Sequence, residues 1–174
     1  VVGFLLLQNG VHNVTCIDSN PAAVVSVEED LKRLPHLNGR AEVLLGDLFE
    51  PLQPNRKFDL VVFNPPWVPK PRERPLEMLE QAVFFPPDLI SRFLRGARKV
   101  VNKRLILIYS ERLSEPGELQ RAIEDDGGFT VVRVTSIDEP RRKRGKPGFK
   151  GYRLDPNGEP MLSVQLWELQ PMAR

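Results

Sequence analysis

The run Asn64-Pro65-Pro66-Trp67 closes an apolar stretch, residues 58–63, that reads as a buried strand. Two consecutive prolines hold φ fixed and remove two backbone N–H donors, so the carbonyls here face a cavity instead of pairing in a sheet. The Asn64 amide oxygen and the Pro65 carbonyl then make two neighbouring acceptors. Such a pair suits a planar NH₂ group, which has two N–H donors to give. Trp67 can stack on the same planar group. Two acids stand in related places. Asp18 ends the apolar run 14–18, and Asp47 follows residues 42–45 with Gly46 between. An acid at the end of a strand can take the ribose hydroxyls of a nucleotide as hydrogen-bond donors, and it lies about 20 residues beyond a glycine-rich turn. Taken singly, either acid also serves as an ordinary turn residue. Behind Asn64-Pro65-Pro66-Trp67 they read as a site.

A site of this kind needs a sheet whose strands end together. Residues 1–8 read as a helix stopped by Asn9-Gly10, and residues 14–18 as a strand. Asn20 is placed to cap the next helix, with Pro21 at its first position. Val24, Val27, Leu31 and Leu34 follow at helical spacing, until Pro35 and Asn38-Gly39 close the segment. Strands follow at 42–45 and 58–63. A helix over 88–101 puts Leu89, Ile90, Phe93, Leu94 and Ala97 on one face. Residues 105–109 form the most apolar strand. A helix over 115–126 is stopped by Gly127-Gly128, and strands at 129–135 and 162–169 are joined without a helix.

Strands alternating with helices specify a doubly wound α/β domain with a mostly parallel sheet and right-handed crossovers. The helix-free return makes the last strand antiparallel. Ligands of such sheets bind at the carboxyl ends of the strands, where Asp18, Asp47 and Asn64 stand. Counting back from Asp18 puts the glycine loop and first strand before residue 1. The expectation is one domain over 1–174 lacking that strand, with 139–160 a basic loop between the last two strands.

With 174 residues, 41% hydrophobic and 28% charged, the composition is that of a soluble globular protein. No apolar run approaches the ~20 residues of a membrane span. The N-terminus has neither the basic segment nor the cleavage site of a signal peptide. Cys16 is the only cysteine, which excludes an internal disulfide and a cysteine-cluster metal site and suits a reducing, cytoplasmic compartment. His12 and His36 have no partnered motif, and Trp167 reads as packing. Net charge is only +2, yet seven cations between Arg141 and Arg153 have no acid among them. Arg142, Arg144 and Lys146 lie at the centre of that cluster, with Phe149 and Tyr152 nearby. It has the character of a phosphate footprint with bases to stack, or of a solvated loop.

Residues 14–18, Gly46-Asp47-Leu48-Phe49-Glu50-Pro51-Leu52 and 58–67 resemble successive motifs of the class I S-adenosylmethionine-dependent methyltransferases. The Asn-Pro-Pro-aromatic run marks the branch that methylates planar nitrogens: adenine N6, guanine N2 and the glutamine N5 of release factors and ribosomal proteins. The resemblance implies that Asp18 holds the cofactor ribose, that Asp47 accepts from its adenine amino group, and that Leu48 packs on the ring. Asn64 borders the cofactor and, with Pro65, accepts from the target nitrogen. Trp67 stacks on the target, beside Pro66. No metal is implied. The glycine motif of the family has no counterpart in the chain.

The basic connection favours an RNA base as substrate, ribosomal RNA for example. The wording of residues 46–52 resembles the glutamine enzymes, which keeps a protein substrate as the alternative. A non-catalytic, methyltransferase-like binding module is the reading from another class. Some relatives work with an activating protein partner, so that expectation stays open.

Overall fold

The computed structural model describes residues 2–37, 39–66, 68–69, 84–86, 88–110, 117–140, 153–154 and 160–172. They fall into two compact units, Val1–Arg56 and Lys57–Arg174.

In the first unit, helix α1 (Val2–Gln8) ends at Asn9, whose side-chain amide donates to the Leu5 carbonyl at 2.8 Å. Strand β1 (Val14–Asp18) follows, then α2 (Pro21–Arg33). Asn20 caps α2 as expected: its side-chain oxygen accepts from the Ala22 amide at 2.9 Å, and Pro21 opens the helix. After a 3-10 turn at Pro35–Leu37, strand β2 (Ala41–Leu45) pairs in parallel with β1, from Val14 opposite Ala41 to Asp18 opposite Leu45.

α1 lies so close to β1 that a Cβ on Gly3 would meet the Cys16 sulfur at 2.6 Å. Burial there pushes the Cys16 thiol above its ordinary value. Arg40 fastens the loop behind α1, donating to the carbonyls of Leu7 at 3.2 Å, Val11 at 2.8 Å and His12 at 3.2 Å. One guanidinium thus reaches three carbonyls of the helix end and the loop behind it.

The second unit opens with β3 (Phe58–Phe63) and a short parallel pair, β4 (Val68–Pro69) with β5 (Phe84–Phe85). Helix α3 (Leu89–Val100) passes directly into β6 (Val101–Tyr109), and α4 (Glu118–Asp126) leads to β7 (Phe129–Pro140). β8 (Arg153–Leu154) and β9 (Pro160–Pro171) complete the chain. The main sheet has the order β3-β6-β9-β7. β3 and β6 are parallel, whereas β9 is antiparallel to both β6 and β7, as the helix-free return implies.

Core residues come from the faces the periodicity marks. Leu94 and Ala97 of α3, Leu105 and Leu107 of β6, Leu119 of α4 and Leu169 of β9 are fully buried. Lys57 and Arg98 close helix ends, donating to the carbonyls of Lys99 and Asp126.

Four elements differ from expectation in their bounds. β6 starts at Val101 rather than residue 105. Its early residues Asn102, Lys103 and Arg104 are exposed, and Lys103 and Arg104 are tied across the sheet by Lys103–Asp59 (2.7 Å) and Arg104–Glu168 (3.5 Å). α4 starts at Glu118 rather than 115, after Gly117 at φ 73°. β7 and β9 reach Pro140 and Pro160, well past 135 and 162. Such extensions rest on backbone pairing of an antiparallel ribbon, which needs no apolar pattern.

Candidate functional site

At the carboxyl end of β3 the site is built by packing. Phe63 pairs with Leu107 of β6 and stacks on Phe93 of α3, ring centres 4.1 Å apart and planes 16° apart. Aromatic pairs of this kind contribute about 0.5–1.5 kcal/mol beyond burial. It anchors the last residue of the strand, and the chain then leaves the ladder. Asn64 is exposed, Pro65 buried and Pro66 half-buried. An exposed Asn64 therefore directly follows the stacked Phe63 in the chain and is itself followed by two residues with no backbone donor.

The neighbouring strand adds two residues that sequence reasoning missed. Tyr109 and Ser110, at the carboxyl end of β6, are each only 1% exposed. The Tyr109 hydroxyl donates to Glu118 Oε2 in the first turn of α4, at 3.4 Å. Opposite Tyr109 on β9 stands Gln165, whose Oε1 accepts from the Trp167 indole at 3.0 Å. The sole sequence signal was a strand that turns polar at its end.

The carboxyl ends of β1 and β2 are built from hydrogen-bonded turns. Asp18 is exposed. Its Oδ1 accepts from the Asn20 amide at 2.8 Å, and its carbonyl accepts from the Gly46 amide at 3.0 Å, clasping the two strand ends together. Among the described residues Asp18 Oδ2 has no hydrogen-bond partner. Beyond Gly46 the chain makes two overlapping turns, with Glu50 N donating to the Asp47 carbonyl at 3.0 Å and Leu52 N to Phe49 at 3.2 Å. The turns fold Pro51 back so far that a Cβ on Gly46 would lie 2.8 Å from its ring. Leu48 takes φ 50°, the left-handed region. For a leucine this backbone costs roughly 1–2 kcal/mol, and strain of that size gathers where a residue is held for a purpose.

Asp18 and Asp47 thus stand at the same end of a parallel pair, with half-buried Leu48 on a strained turn beside Asp47. That set of groups fits a nucleoside: an acid with an open acceptor oxygen, a second acid, and an apolar side chain at a fixed backbone angle. Trp67, Arg142, Arg144 and Lys146 lie outside the described residues, as does Glu111 after β6. His12 and His36 are exposed. Among the described residues no cluster of three His, Cys, Asp or Glu side chains could hold a metal ion. No described helix is long and apolar enough to cross a membrane.

Against known proteins, the methyltransferase small domain family matches residues 1–132. Among solved structures, a SAM-dependent methyltransferase of Methanosarcina mazei superposes with a TM-score of 0.62 at 16% identity, over 98% of this chain and 87% of that one. Sp1610 of Streptococcus pneumoniae, a candidate tRNA (m1A22) methyltransferase, gives 0.59 at 13%, over 99% and 60%. TrmN of Thermus thermophilus gives 0.56 at 16%, over 92% and 36%. The chain thus spans less than two thirds of the last two. At these identities the likeness establishes the fold, the α/β Rossmann-like architecture expected from the order of elements. A search of curated proteins found no sequence match.

Proposed function

The chain belongs to the methyltransferase small domain family, and on that premise we propose that it methylates the nitrogen of a planar amino or amide group, with a base of RNA as the target. The observation that carries this reading is the exposed Asn64 directly after the packed Phe63 at the end of β3, followed by Pro65 and Pro66. The methyl donor is S-adenosylmethionine, which when bound supplies a methyl already activated by its sulfonium. Asp18 holds the ribose, Asp47 takes the adenine amino group, and Leu48 packs on the ring.

The lone pair of an amide or ring amine is delocalised, so the nitrogen is a weak nucleophile. Asn64 Oδ1 and the Pro65 carbonyl accept its two N–H groups, raise electron density on it and aim it along the transfer line. Both dipoles are already in place when positive charge develops on nitrogen, which is where preorganised electrostatics count most. Trp67 and Pro66 sandwich the planar target, which must be unpaired to enter. Arg142, Arg144 and Lys146 hold neighbouring phosphates. A candidate tRNA methyltransferase among the structural neighbours supports RNA as the substrate class. The run 46–52 supports a second reading, transfer to a protein glutamine.

The test is transfer of tritiated methyl from S-adenosylmethionine to total RNA and, separately, to total ribosomal protein. N-methylated nucleosides are expected, with a loss of about 10²-fold or more in Asn64→Ala. Label on a glutamine amide selects the second reading. Label on carbon or a ribose oxygen overturns transfer to nitrogen.

A further inference from the structure

Two helices lie side by side against the main sheet and carry opposite charge. α4 bears Glu118, Glu124, Asp125 and Asp126 against Arg121. α3 bears Arg92, Arg95, Arg98 and Lys99 and no acid. Its apolar side is buried, so Arg95, Arg98 and Lys99 stand on the exposed side.

Neighbouring acids neutralise only part of this charge. Arg98 pairs with Asp126 at 3.4 Å, Lys103 with Asp59 at 2.7 Å and Arg104 with Glu168 at 3.5 Å. Arg95, Lys99 and Lys57 have no acidic partner among the described residues, and the Lys57 ammonium donates to the Lys99 carbonyl. Within α3 the positions three and four residues from Arg95 are Ser91, Arg92, Arg98 and Lys99. Like charges at that spacing destabilise a helix. The negative end of the helix accounts for cations in its last turn, but not for Arg95 a turn earlier. A surface that keeps such repelling charge is one that a polyanion completes.

α3 also joins the two ends of the sheet. Phe93 stacks on Phe63, the residue before Asn64, and Val100 leads into Val101, level with Phe58 at the start of β3. The helix thus descends from the end that carries Asn64 to the amino end, where Lys57 adjoins Lys99. From Phe58 to Asn64 the strand beneath it advances roughly 20 Å at ~3.3 Å per residue.

We propose that the exposed side of α3, with Lys57 at its foot, binds the phosphates of the RNA strand that leaves the target base. This rests on the RNA reading above and fixes the surface that the rest of the substrate follows. A stacked strand advances ~3.4 Å per nucleotide, so the foot of the helix lies about six nucleotides from the methylated base. Arg95 and Lys99, one turn apart on the same side, meet successive phosphates, and the guanidinium fork suits a phosphate best. The acids of α4 repel the strand and keep it on α3.

The experiment is fluorescence anisotropy of the full chain with a labelled oligoadenylate of about 12 nucleotides, titrated with salt and run beside labelled polyglutamate. Arg95→Gln with Lys99→Gln removes two phosphate contacts. The slope of log affinity against log salt should fall by about 1.4, and affinity at 0.1 M salt by about 25-fold. Arg95→Lys with Lys99→Arg keeps both charges and should keep the parent slope. Lys32→Gln with Arg33→Gln removes two exposed cations from α2 and should also leave the slope unchanged. An unchanged slope in the first variant, or an equal fall in the α2 variant, overturns this surface while leaving RNA binding intact. A denaturation midpoint that falls with the slope makes Arg95 and Lys99 structural and overturns it too. Binding of polyglutamate and not of oligoadenylate overturns the RNA reading itself.

Discussion

The strand ends that carry the candidate residues are built by different physics in the two units. At the end of β3, position is set by side-chain packing: Phe63 on Phe93, buried Pro65, and buried Tyr109 and Ser110 on the next strand. At the ends of β1 and β2 it is set by backbone: the Asp18–Gly46 clasp, the turns from Asp47 to Leu52, the Pro51 ring against Gly46 and the left-handed Leu48. A packed end is stiff because core volume resists change. A turn end is specific because few residues tolerate its angles and close approaches. Mutations should therefore fail differently in the two places.

The largest effect should come from removing the packing. Phe93 is 3% exposed, and Phe93→Ala is expected to cost about 3–5 kcal/mol of stability, a loss that chemical denaturation of the second unit would read directly. Asn64→Ala should do the opposite: an exposed side chain changes stability by less than ~0.5 kcal/mol. If transfer falls while the denaturation midpoint stays, Asn64 acts on the reaction; if the midpoint falls too, it is structural.

The turn end should respond to volume rather than to burial. Gly46→Ala drives a methyl into the Pro51 ring and should cost about 1–3 kcal/mol, with weaker S-adenosylmethionine binding by calorimetry. Leu48→Gly should instead release strain and keep stability within about 1 kcal/mol of the parent, while losing the apolar contact with the nucleoside. Weaker binding without lower stability would assign that strained angle to the ligand. Unchanged binding would assign it to the turn alone.

The same division explains what was legible in the sequence. β1, β3 and the Asn20 cap read directly, because burial and capping leave residue-type signatures at fixed spacing. Asp18 and Asn64 were found because they close such strands. The left-handed angle of Leu48 has no signature, since leucine is neither glycine nor asparagine. Tyr109 and Ser110 were missed because a tyrosine at a strand end reads as surface until α4 covers it. The outer ribbon, beyond residue 135, was missed because exposed antiparallel pairing needs no apolar pattern: Ser136 and Ile137, one polar and one apolar, are both exposed. What reading residue types recovers is their contact with the core. What it loses is held by backbone alone.

The smallest expected effect lies at the start of β3 and β6, away from the carboxyl ends, and it controls for both comparisons. Lys103 donates to Asp59 across the two strands at 2.7 Å, and that hydrogen bond holds the Asp59 carboxyl below its ordinary value of 3.8. A carboxylate favoured in the folded state stabilises it above the unfolded value, and that contribution disappears as pH falls through the lower folded value. Asp59→Asn should therefore flatten the acid limb of the stability profile below about pH 4 and leave neutral stability almost unchanged, because both side chains are exposed. Methyl transfer at neutral pH should be unaffected, since the pair sits at the opposite end of the strand from Asn64. A loss of transfer in Asp59→Asn would mean that strain crosses the sheet from one end to the other, and the stiffness assigned to the Phe63–Phe93 end would have to be given up.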